Sequence, residues 1–107
     1  MALTADPHWR RLWRAALADA DRALERSRPP ARRLAQQLAT ARKPQLRALL
    51  AAAFDGALEV AAIRAELRDE RSILERELRA VPTMTPAAAQ AAATALIRAL
   101  AQAVPKA

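Results

Sequence analysis

The sequence predicts an all-α fold: a small antiparallel helical hairpin or bundle of three to four helices, one of them long and central. Three observations predict it. Alanine, the strongest intrinsic helix former, supplies about three residues in ten. The chain holds one glycine and no tyrosine, and β-branched residues are few, so strands and tight β-turns have little to be built from. Apolar residues recur at three- and four-residue spacing between breaks marked by proline. The 107 residues fit one domain, spanning 1–107.

Asp6-Pro7 reads as an N-cap followed by proline at the first helical position, where no backbone N–H is needed. Trp9, Leu12, Trp13, Ala16, Leu17, Ala20 and Leu24 then share one face, while Arg10, Arg11, Arg14, Asp21 and Arg22 fall largely off it. This predicts a helix at about 7–27, ended because the residue before Pro29 avoids the helical region. A shorter helix follows at about 30–42, carrying Leu34 and Leu38. Pro44 starts the next one, with Arg42-Lys43 as the joint.

The long helix is expected at about 45–80. Leu46, Leu50, Ala53, Ala57, Val60, Leu67, Leu74, Leu78 and Val81 fit a 4-3 spacing, the seam of a coiled-coil-like hairpin, with Arg64 and Arg71 interrupting it. Leu49, Phe54, Leu58 and Ile63 widen its apolar surface. From Arg64 on, the helix is heavily charged, with Arg71, Glu75 and Arg79 forming a ladder of alternating sign. Val81 to Met84 is a break, Thr85-Pro86 repeats the cap-plus-proline start, and a last helix runs at about 86–104. Ala89, Ala93, Leu96, Ile97, Leu100 and Val104 mark one face of it and Gln90, Thr94, Arg98 and Gln102 the opposite one, and the alanines predict shallow burial because they remove little area from water.

Composition narrows the function classes. No cysteine is present, so disulfides, thiolate metal sites and a cysteine nucleophile are excluded, and a reducing compartment suits the chain. No stretch approaches the roughly 20 apolar residues of a membrane span. Met1 to Arg14 lacks the apolar core of a signal peptide, so a cytoplasmic protein is the expectation. His8 is the only histidine and reads as an ordinary surface residue. Glu66, Asp69, Glu70, Glu75 and Glu77 lack the Glu-x-x-His pattern of a helical metal site and alternate with arginines, as on a solvated ion-pair face. No glycine-rich phosphate cradle or nucleophile elbow occurs. The expectation is a non-enzyme with no cofactor, no metal and no small-molecule substrate.

The charge is +7 and uneven. Residues 8–47 hold eleven basic and three acidic side chains, whereas 48–80 hold five basic and seven acidic. Arg28, Arg32, Arg33, Arg42, Lys43 and Arg47 cluster around the first two joints, so nucleic-acid binding through phosphate contacts is the alternative function. Against it, lysine is nearly absent and no aromatic lies among these arginines to stack on bases.

Trp9 and Trp13 share a face, as core or as an exposed interface anchor. The pattern Leu3-x-x-Asp6-Pro7, then Arg10 or Arg11, Leu12, Leu17, Ala20 and Leu24, is followed after a proline-marked joint by Leu46, Leu49, Leu50, Ala53, Ala57, Val60 and Ala61. Over about residues 3–63 this resembles the small helical-hairpin co-chaperones of type III secretion needle subunits. The resemblance implies two antiparallel helices docked on a repeat-type chaperone, keeping a needle subunit soluble in the cytoplasm before export. It implies an apolar partner face of Leu12, Leu17, Leu24, Leu50, Ala57 and Val60, to which the residues themselves add Trp9 and Trp13. The segment 28–44 is longer than a simple hairpin loop, and the charged half-helix from Arg64 and the last helix have no counterpart in that pattern. The sequence thus predicts a helical adaptor or co-chaperone with a protein partner, and the 46–81 seam offers homo-oligomerisation as a further route.

Overall fold

The computed structural model describes residues 7–104. Leu3 and Asp6, which open the first motif, lie outside the described residues. Five helices and no strand occur among those described: α1 (Pro7–Ala23), α2 (Pro29–Ala41), α3 (Lys43–Phe54), α4 (Val60–Arg79) and α5 (Pro86–Ala101). The all-α class holds, but three to four helices with one long central helix do not.

The long helix fails at the only glycine. Gly56 takes φ +70, a left-handed conformation that costs glycine little. The Gly56 N–H donates to the Ala53 carbonyl at 3.4 Å, and the Ala57 N–H donates to the Ala52 carbonyl at 2.9 Å. These two bonds are the Schellman pattern that closes a helix. The chain then extends through Glu59 (φ −68, ψ 149) before α4 begins. The 4-3 seam is therefore discontinuous. Leu46, Leu50 and Ala53 supply its α3 part, and after the break the buried register is Ile63, Leu67, Leu74 and Leu78. Ala57 and Arg64 are left exposed and Val60 half-buried.

The proline-marked joints fall where the residues place them. α1 stops at Ala23 rather than near 27, and short i→i−3 bonds such as Ser27 N–H to the Leu24 carbonyl, 2.9 Å, turn the chain. Arg28 is extended ahead of Pro29, as proline requires of its predecessor. Arg42 closes α2 and opens α3 while staying near-helical (φ −84, ψ −9), with Pro44 in the first turn of α3. Thr85 caps α5, accepting a hydrogen bond from the Ala88 N–H at 3.1 Å.

α5 is the hub. It packs chiefly against α1 and next against α4, while α2 and α3 lean on α4. Ala89, Ala92, Ala93, Leu96, Ile97, Ala99 and Leu100 are all buried along one broad face, with Gln90, Ala91 and Arg98 exposed on the other. The apolar face read from the sequence is the buried one, and it is covered more fully than its alanines suggested, because α1 and α4 both pack on this helix. Alanine contributes little area, but it lets flanking helices approach closely. One continuous core joins all five helices. α2 buries Ala31, Ala35 and Ala39, with Leu38 half-buried against the core and Leu34 exposed. A crevice beside that core, between α1, α2, α4 and α5, measures ≈ 10 Å³, no more than one water's worth.

Candidate functional site

The residues expected on a partner face divide into three groups. Trp9, Trp13, Leu24 and Leu50 are core. The two indoles are 2% and 5% exposed and stack on each other with centroids 5.8 Å apart. Leu12, Leu17 and Val60 are half-buried against that core. Ala57 is exposed in the α3–α4 connection. Most of the expected face is thus covered from within, by α5 above all.

The basic cluster is also partly occupied. Arg42 grips Glu70 with two prongs, Nε to Oε1 at 2.9 Å and Nη2 to Oε2 at 2.7 Å. The hydrogen bond to Glu70, aided by the charges of Glu70 and Glu77, raises the Arg42 pKa against the opposing effect of burial. Arg32 pairs with Asp21 at 3.0 Å, and Lys43 Nζ sits 5.6 Å above the Trp13 ring, within cation–π range. Arg47 is half-buried, and Arg28 and Arg33 are exposed. Arg32, Arg42 and Lys43 thus help to hold α1, α2, α3 and α4 together around the two joints. The predicted ladder is present, with Glu75 bridging Arg71 at 3.1 Å and Arg79 at 2.9 Å. His8 is exposed, and among the described residues no group of three or more His, Asp or Glu side chains is arranged to hold a metal. No helix among them is long and apolar enough to cross a membrane.

Among the described residues, three large apolar side chains remain in solvent: Leu34 (42% exposed), Phe54 (46%) and Leu58 (45%). Two of them flank the glycine break. Leu58 lies at one end of a groove of ≈ 430 Å³ between α3 and α4, floored by Leu49 and Ala52 and edged by Gln45, Glu66 and Glu70. Leu34 and Leu38 line a separate groove of ≈ 330 Å³ with Val81 and Pro82. Sequence periodicity placed Phe54 and Leu58 on an apolar helix but not in a site. The available signal was Asp55-Gly56, which takes Leu58 off the helix that would have buried it.

A cleft of ≈ 680 Å³ lies where the α1–α2 turn meets the start of α5, lined by Arg22, Arg26, Arg28, Thr83 and Thr85 together with the acidic Glu25. Arg22 also pairs with Asp19. No family model, curated protein or solved structure matches this chain.

Proposed function

We propose that this chain is a non-enzymatic helical adaptor that binds a protein partner through apolar surface at the α3–α4 joint. The observation that carries it is the exposure of Phe54 and Leu58 on either side of Gly56, with Leu58 lining the Leu49–Ala52 groove, in a chain that covers both tryptophans and most leucines. Scattered exposed leucines are ordinary on a protein surface. Two large ones flanking one break, one of them lining an apolar groove, are the start of a docking surface. The joint also contains Ala57 and Val60, two residues of the face implied by the co-chaperone resemblance. The finer reading is a co-chaperone of a type III secretion needle subunit, with that subunit and a repeat-type chaperone as partners. Co-expression with both tests it. A Phe54→Asp/Leu58→Asp variant with unchanged helicity and thermal midpoint should lose co-purification, and retained binding would count against the docking reading.

Nucleic-acid binding is the second reading, favoured by the gathering of Arg22, Arg26 and Arg28 around one cleft. It is weakened by the engagement of Arg32, Arg42 and Lys43 within the fold. A gel-shift series distinguishes the two, since phosphate-driven affinity falls steeply with salt. Self-association along 46–81 has less to use, because Leu46, Leu50, Leu67, Leu74 and Leu78 are core.

A further inference from the structure

We propose that the α3–α4 groove receives a cationic amphipathic helix of another protein. This rests on the docking reading and adds the chemistry of the occupant. Glu59, Glu66 and Glu70 follow one another at spacings of seven and four, so they share one flank of α4 and its entry. That flank edges the groove, since Glu66 and Glu70 line it opposite Leu49 and Ala52. Arg64 and Arg68 stand two residues to either side of Glu66, a rotation that carries them to the opposite flank.

Glu70 is neutralised by Arg42. Glu59 and Glu66 are exposed, as is Asp55 in the joint. No lysine or arginine lines the groove. An apolar floor with an acidic rim therefore sits on a chain whose formal charge is +7. The charge of the whole molecule repels a basic helix, whereas this groove attracts one. An acidic partner would meet like charge here, which makes the rim a selector as well as an attractor.

From Glu59 to Glu70 the flank runs about 17 Å, three helical turns. The occupant would present apolar side chains at i, i+3 or i+4, and i+7 to the floor. Lysines or arginines on its flanks would face Glu59 and Glu66.

The test uses the full chain and two fluorescein-labelled peptides. One is an amphipathic helix of leucines and lysines; the other has the same pattern with glutamate for lysine. Anisotropy reads affinity, and amide chemical shifts locate the contact. The lysine peptide should bind with shifts centred on Leu49, Ala52 and Leu58, and the glutamate peptide should not. Glu59→Lys/Glu66→Lys should weaken the lysine peptide about tenfold and reverse the preference, from two exposed charges reversed.

If Leu58→Ser abolishes binding while the charge reversal leaves it unchanged, the cationic occupant is wrong and the apolar docking surface stands. If the lysine peptide fails to bind at all, the cationic occupant is also wrong, and loss of co-purification by the Phe54/Leu58 variant judges the docking reading separately. If sedimentation shows the chain pairing with itself in a Leu58-dependent way, the occupant is a second copy and the proposal falls. Leu58 is exposed in a connection rather than core, so these variants should keep the parent helicity.

Discussion

Arg42 and Glu70 are separated by 28 residues, and their side chains are only 19% and 12% exposed. The pair is the polar tie between the α2–α3 joint and α4. Removing one partner leaves the other half-buried and uncompensated, so Arg42→Ala should destabilise the fold by about 2 kcal/mol, measured by urea denaturation. The raised Arg42 pKa sets a sign. A base held above its unfolded value contributes stability that is fully present below that value and is lost only in strong alkali, so Arg42 protonation adds no pH dependence near neutrality. Two backbone positions make opposite predictions. Thr83 holds φ 66 after Pro82, in a turn closed by the Met84 N–H on the Val81 carbonyl at 3.1 Å. A β-branched residue is strained there, so Thr83→Gly should raise stability by about 1 kcal/mol in the same assay. Gly56 has open space around its missing side chain but a positive φ, so Gly56→Ala should lower stability by about 1 kcal/mol through backbone strain alone.

Among the elements, those opened by proline were the most legible. Pro29, Pro44 and Pro86 each mark a helix start because proline fixes φ and needs no N–H in the first turn. The break at Gly56 was written in the sequence as one residue, but the leucine-alanine spacing continued across it and masked it. Periodicity identifies which residues are apolar along a helix and not whether the helix is continuous. The role of α5 was hidden for a related reason. Its apolar face was legible in the spacing, but spacing along one helix does not show that two others, α1 and α4, pack on it. Close approach of α1 and α4 requires those small side chains. Ala93→Leu, at a fully buried position, should therefore destabilise by about 1–3 kcal/mol through overpacking. The same change at exposed Ala91 should be nearly neutral, and thermal unfolding of the pair checks both.

For the whole molecule, the partition of apolar surface decides what function is left open. The sequence shows more leucine and tryptophan stripe than a pair of hairpin helices can cover, which is why Trp9, Trp13, Leu24 and Leu50 read as a docking face. Folding assigns them to a core organised around α5, and the exposed remainder includes Phe54 and Leu58 at the α3–α4 joint. Whether a leucine is core or interface depends on which helix lies over it, and spacing along one helix does not specify that. The charge asymmetry was legible as a count, but its placement was not: the acidic half becomes a groove rim only once α3 and α4 are folded against each other. The most direct test is acrylamide quenching of tryptophan fluorescence in the isolated monomer. Covering by α5 predicts blue-shifted emission and strong protection of both indoles without any partner. Red-shifted, freely quenched emission that becomes protected only on adding a partner would contradict it, and would return Trp9 and Trp13 to the docking face.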